Sequence, residues 1–356
     1  MTASIYHESS RIITEHVTEL AQKVFDLQMQ QNPEMMKGYT PYQKQKCLRD
    51  ESHNLYYLAE ALSLDSVKLW TNYLSWLKTL LVSLGVKNQQ TAEHFQIMLQ
   101  VLEANLPLSE LPKVREMIGI AVTYFQDEDT QEYHGLDPQN PRYDQARNYQ
   151  NMLLSAQKRK AADYILSMAT GTQEIREIYL NILQPVQRDI GLLWHTNKIS
   201  VAQEHYCTGV TQMVISLLYP KLFDAGPKDY RMISACVSGE LHEIGLRMVT
   251  DIMEIDGWNT TFLGANMPDE GILETILEKK ADLLAISVTF PLNLHKAESL
   301  INLIKSDALA SKTKIMVGGY PFLADDSLWQ KIGADAYAAD ASLANSVARN
   351  LIQRPA

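Results

Sequence analysis

Apolar residues recur every three or four positions through the N-terminal two thirds of the chain, then give way to short unbroken apolar runs separated by amphipathic stretches. The first pattern is that of helices burying one face. It predicts helices over Ser9 to Met29, Gln43 to Leu64, Ser66 to Leu84, Gln90 to Ala104 and Leu111 to Phe125. In the third of these, Val67, Trp70, Tyr73, Trp76 and Leu81 fall on one core-facing stripe. Residues 142–223 read as helical hairpins broken at Gly171-Thr172 and near Asn197, with a long helix from Gln173 to Leu193. With one or two helices from upstream they would make a four-helix bundle. An acidic, proline-containing stretch from Gln126 to Pro141 marks a first boundary and Phe223 to Asp229 a second, giving domains 1–141, 142–224 and 229–356.

In the last domain the runs Tyr230 to Val237, Asn259 to Leu263, Asp282 to Thr289, Lys314 to Val317 and Asp335 to Ala338 read as strands. Helices through Met253, from Asp269 to Lys280, Leu294 to Lys305 and Ser342 to Ile352 separate them. Buried strands alternating with helices predict βαβ units on a parallel sheet. The fold class is multidomain α and α/β, an all-helical domain and a helical bundle followed by a flavodoxin-like (Rossmann-like) domain.

Where the first strand breaks into its helix stands Ser238-Gly239-Glu240-Leu241-His242-Glu243-Ile244-Gly245. A histidine there points into the crevice where open α/β sheets bind ligands, and Glu240 is placed to orient its imidazole. The pattern Glu-x-His-x-x-Gly resembles the signature of cobalamin-binding domains, in which Asp is commoner at the Glu240 position. The resemblance implies that His242 is the lower cobalt ligand. It extends to Ser287 and Thr289 at the end of the third strand and to Gly318-Gly319 after the fourth. Glycine there lets the backbone approach the cofactor's nucleotide tail closely.

Upstream, Trp194, Glu204 and His205 have the form W-x9-E-H. This resembles the helical cap of the light-sensing B12 repressors, the CarH family, in which these residues approach the upper face of the corrin over the adenosyl group. Asn197 and Ser200 are suited to cap the helix that carries Glu204 and His205. The same resemblance implies that His195 fills the upper cobalt position once photolysis has removed the adenosyl ligand. A helix-end histidine paired with the local dipole is the plain alternative.

Residues 49–85 and the absence of a winged-helix DNA-binding domain resemble the photocobilins, stand-alone B12 photoreceptors that also hold biliverdin. That resemblance implies a bilin site drawing on Arg49, His53, Tyr57, Tyr133, His134, Arg142 and Tyr143. Cys47 is the only thiol in this region, and nothing in its surroundings indicates a covalent bilin link.

The chain has 356 residues, 46% of them hydrophobic, a formal charge of −10 and pI near 5.4. Its acidity argues against a nucleic-acid groove binder. Three dispersed cysteines suggest neither disulfides nor a zinc site. With no signal-like start and no long apolar run, the expectation is a cytoplasmic protein off the membrane. The expected function is a non-enzymatic light sensor binding adenosylcobalamin or another cobalamin, and biliverdin, that signals as a homo-oligomer, such as a dimer, or through a partner regulator. A non-photochemical B12-binding regulator or antirepressor and a corrinoid carrier in methyl transfer stay open as alternatives. A B12-dependent mutase lacks room for its substrate barrel.

Overall fold

The computed structural model describes residues 8–34, 38–127, 135–222 and 230–353. The chain divides into two compact units, Met1–Gln131 and Glu132–Ala356. The first boundary therefore precedes the one expected at residue 141. The cause is local: Leu136 packs on the core of the second unit, and Asn140 Nδ2 donates to the Asn181 carbonyl at 2.9 Å. The second expected boundary, Phe223 to Asp229, lies outside the described residues.

The first unit is helical: α1 (Glu8–Glu15), α2 (Val17–Gln31), α3 (Pro41–Ser63), α4 (Val67–Ser83), α5 (Asn88–Asn105) and α6 (Leu111–Gln126). The helix expected over 9–29 is interrupted at His16. Thr40 and Gln43 close a capping box before α3, with Pro41 in its first turn where no N–H is missed. Ser66 caps α4 by accepting from the Leu69 amide at 3.0 Å. The core runs from Ile13 to Phe125. At its centre Trp70 is fully buried, and its Nε1–H donates to the Met117 carbonyl at 2.7 Å.

The second unit begins with a bundle of α7 (Tyr143–Leu154), α8 (Lys158–Met168), α9 (Thr172–Ile178), α10 (Gln184–His195) and α11 (Val201–Leu218). The helix expected over 173–193 is present, but Tyr179–Leu183 between α9 and α10 is a π turn. Counting α9 to α10 as one rod, residues 143–218 supply four helices themselves, so no upstream helix is needed. Ser200 and Gln203 form the capping box of α11. Asn197 does not cap it; at φ 57° it takes the left-handed conformation that ends α10.

Next come β1 (Arg231–Cys236), α12 (Ile244–Ile255), β2 (Asn259–Gly264), α13 (Asp269–Lys279), β3 (Leu283–Ser287), α14 (Leu294–Ser306), β4 (Lys314–Gly318), α15 (Tyr320–Ala324), α16 (Leu328–Lys331), β5 (Ala336–Tyr337) and α17 (Ala341–Gln353). The five strands are parallel in the order β2-β1-β3-β4-β5. This is the flavodoxin-like order, in which the chain turns back between β1 and β3 and leaves a crevice beyond their carboxyl ends. Helices α15 and α16 are too short to leave a helical period in the sequence, and β5 is only two residues long.

The bundle rests on α12. Met248 and Ile252 join its core, and Arg176 pairs with Asp256. Tyr179, held by the π turn, donates its hydroxyl to Asp251 Oδ2 at 2.8 Å. Among the described residues no helix is long and apolar enough to cross a membrane.

Candidate functional site

β1 leaves the sheet at Cys236 and turns through Gly239, which has φ +80°. Asn266 closes this turn: its side-chain oxygen accepts from the Gly239 amide at 2.7 Å, and its own amide donates to the Glu240 carbonyl at 2.9 Å. Glu240 is thereby driven inward and is 0% exposed, although it is a carboxylate. Its burial is matched by donors from two loops. Oε1 accepts from His242 Nδ1 at 2.7 Å and from the His242 amide at 3.1 Å. Oε2 accepts from the amides of Thr289 and Phe290 at 2.8 and 3.0 Å and from Asn293 Nδ2 at 3.2 Å. Burial alone would raise this carboxyl. The hydrogen bonds from the His242 ring and from the amides of Phe290, Thr289 and His242 outweigh it and hold the pKa down at about 2.

An ionised carboxylate only accepts, so His242 Nδ1 must carry a proton and, in the neutral ring, Nε2 keeps a free lone pair. The His242 side chain is 52% exposed, with Phe290 edge-on to the ring at 4.8 Å between centroids. It presents Nε2 at the switch point between β1 and β3. The longer glutamate side chain thus makes the contact for which aspartate is commoner in the motif.

Ser287 lies in register between Cys236 of β1 and Gly318 of β4. Thr289 contributes its backbone amide to Glu240. Gly319 is required by the fold itself. At φ +112°, a Cβ there would lie 1.9 Å from the Val288 carbonyl oxygen, so it is the approach of β3's own backbone that excludes a side chain. A Cβ at Gly318 would lie 3.2 Å from the Ala338 carbonyl oxygen. Gly245 differs, because a Cβ on this exposed first-turn position meets nothing among the described residues within 4 Å. The donor set and this open first turn fit a bulky planar group approaching His242 Nε2.

On the bundle side, Gln187, Gly191 and Trp194 share one face of α10 opposite α11. Glu204 Oε2 and His205 Nδ1 lie 2.5 Å apart, and Thr208 donates to Glu204 Oε1 at 2.8 Å. Gln187 joins Thr208 and Thr211 at 3.3 and 2.7 Å. One turn beyond Thr208, Gln212 Nε2 donates to Glu243 Oε1 at 3.2 Å, so the face of α11 that bears Glu204 stands over the loop that bears His242. Trp194 is 38% exposed and the His205 side chain 76% exposed. His195 is not on this face. It lies about 100° further round the helix and is buried, so it would have to leave that position to serve as an upper ligand. Gln187, Thr208, Thr211 and Gln212 went unread in the sequence, although Thr208 and Gln212 follow Glu204 at four-residue steps.

The residues expected around a bilin are divided. Arg49, His53 and Tyr57 lie at successive turns of α3 in the first unit, with Tyr57 stacked on Tyr73 at 3.9 Å. Burial lowers the pKa of His53. Arg142 and Tyr143 belong to the second unit, at the start of α7. Tyr133 and His134 lie outside the described residues.

Residues 145–219 and 230–345 each match a B12 binding domain family. The dimethylamine corrinoid protein of Methanosarcina barkeri is 27% identical over 190 residues, 53% of this chain and 88% of that protein. Dimethylamine corrinoid protein 3 of Methanosarcina mazei is 31% identical over 121 residues, covering 34% of this chain and 71% of that one. The chain belongs to the corrinoid proteins, a cobalamin-binding family. The solved Methanosarcina barkeri monomethylamine corrinoid protein shares the fold, with a TM-score of 0.51 at 21% identity over 59% of this chain and 99% of its own. The first unit lies before both family matches in this corrinoid protein.

Proposed function

We propose that this corrinoid protein is a methyl-group carrier whose cobalamin would be held by His242 through Nε2. The observation that carries the reading is the buried, ionised Glu240 locking His242 into the Nε2-presenting form at the switch point. The relatives named for dimethylamine support the carrier role over the light sensor expected from the cap motif. When bound, the cofactor supplies a cobalt centre that accepts a methyl group and gives it up again. The chain itself supplies the orientation of His242, a strand-end slot beside Ser287 and Gly245, and a polar roof of Gln187, Glu204 and Thr208. On this reading the protein is not an enzyme by itself and needs a methyltransferase partner to deliver and remove the methyl group.

The test loads the whole protein with methyl-labelled cobalamin, removes free cofactor and adds a corrinoid-dependent methyltransferase with a thiol acceptor. Label should leave the protein and appear on the thiol in the dark. Retention of label in every such pairing, with loss only on illumination, would overturn the carrier reading.

That outcome would favour a second reading, which rests on the half-exposed Trp194 sharing a helix face with Gln187 over the site. In it the protein binds adenosylcobalamin, and biliverdin as a second pigment, and senses light. Its output runs through a homo-oligomer or a partner regulator. Spectra before and after green and red illumination separate the two.

A further inference from the structure

A glycine inside a helix weakens it relative to alanine, so its presence calls for a local reason. At Gly319 the reason is the Val288 backbone, and at Gly239 and Gly264 it is a positive φ. Among the described residues four helical glycines, Gly119, Gly191, Gly209 and Gly245, have neither: none has a positive φ, and a Cβ would meet nothing within 4 Å. Three of them are exposed, so the space beside them is solvent. Gly191 alone is partly buried, and the space beside it is a notch.

The neighbouring helices fix where the notch lies. α10 and α11 run antiparallel, joined by a turn in which the Lys198 amide donates to the Leu193 carbonyl at 2.8 Å. One turn before Gly191, Gln187 is bonded across to Thr208 and Thr211. Gly191 is therefore level with Glu204, one turn before Thr208, in a span closed at both ends. The half-exposed Trp194 borders it on α10, and Glu204, held by Thr208 and His205, borders it on α11. Glu204 belongs to the roof over the loop that bears His242, to which Gln212 of the same helix is tied.

We propose that Gly191 is a specificity-determining residue: the notch it leaves decides how large a group on the upper face of bound cobalamin can be. A side chain at this position would fill the notch from the α10 side. A methyl group needs little of that room, whereas a nucleoside-sized group such as adenosyl needs most of it. The inference rests on cobalamin lying between His242 and the roof, and is independent of methyl transfer.

The experiment measures, in the dark, the affinities of full-length wild type, Gly191→Ala and Gly191→Leu for methylcobalamin and adenosylcobalamin by equilibrium dialysis. Melting temperatures of the cofactor-free proteins are taken alongside. Alanine should raise the melting temperature by about 2 °C, because it replaces a helical glycine without meeting a neighbour. Leucine should weaken adenosylcobalamin at least about tenfold relative to methylcobalamin, and alanine should shift the ratio the same way by less. Methylcobalamin affinity should stay within about threefold of wild type in both variants. Equal losses for the two cofactors would mean that the notch receives the corrin ring itself, and no loss for either would mean that it opens on solvent; each overturns the inference. Should leucine prevent folding, alanine decides, since a raised melting temperature with an unchanged affinity ratio also overturns it. Failure of the cofactor placement is separate: His242→Ala would then leave the spectrum of the loaded protein as in wild type.

Discussion

Asp251 sits 1% exposed on α12, beneath the π turn of the bundle. It accepts from Tyr179 and, at 3.3 Å, from Arg247 Nε, whose guanidinium also lies 5.0 Å over the Tyr219 ring. Burial pushes its carboxyl up to about 6, assisted by Glu254 and opposed by Tyr179 and Arg247. An acid with a raised folded pKa binds its proton more tightly in the native state. Stability is therefore gained as the pH falls through about 6, is complete below the ordinary value of 3.8, and is lost on the way back to neutrality. A displacement of about two units is worth roughly 3 kcal/mol. Asp251→Asn, which cannot titrate, should lack that gain, so the stability difference between wild type and variant should shift by a sizeable part of it between pH 7 and pH 4.5. Denaturant unfolding of both at the two pH values measures it, and parallel pH profiles would refute it. At this scale the site was only partly legible. Glu240 and His242 stand two residues apart in one loop, and a local pattern reveals them. Asn293 reaches the same carboxylate from the segment after β3, and nothing in the linear sequence marks a hydrogen bond across 53 positions.

The elements of the first unit are tied together by one buried charge pair. His94 on α5 places Nε2 2.7 Å from Glu51 Oε2 on α3 and Nδ1 2.9 Å from Gln28 Oε1 on α2. Burial disfavours the imidazolium, but the Glu51 charge and hydrogen bond outweigh it and raise the His94 pKa above its ordinary value. The resulting stability is fully present below the ordinary histidine pKa of 6.5 and fades as the pH rises through the folded value. Removing one partner leaves the other buried alone, at a cost of roughly 3 to 5 kcal/mol. Glu51→Gln should therefore lower the melting temperature strongly at pH 6 and by less at pH 9; an equal loss at both would mean that the pair is not ionised. The helices that hold these residues were legible because their caps and apolar stripes agree with each other. The π turn was not, since one extra residue in a turn leaves the apolar period almost intact on either side. Strand β5 was read two residues too long because its pattern does not distinguish a paired residue from an extended neighbour.

Over the whole molecule, each unit has a core of its own: one runs from Ile13 to Phe125, while the bundle and sheet cores use residues from Ala146 onward. Both family matches, the His242 loop and the Glu204 network fall in Glu132–Ala356. A unit with its own core and all the proposed cofactor contacts has what it needs to fold and bind alone. A fragment of residues 132–356 should therefore take up cobalamin with the same histidine-on spectrum and an affinity within about tenfold of the full chain, a difference of at most about 1.4 kcal/mol. Residues 1–131 should keep a helical circular dichroism spectrum and take up no cobalamin. The informative comparison is between the fragment and the full chain in methyl transfer and under illumination. If the fragment binds cobalamin normally but loses one of these activities, the helical unit supplies a partner or pigment contact for that activity. If the fragment binds no cobalamin although it folds, the cofactor site is not confined to the second unit, and the assignment of all cofactor contacts to His242, its loop and the roof of the bundle is wrong.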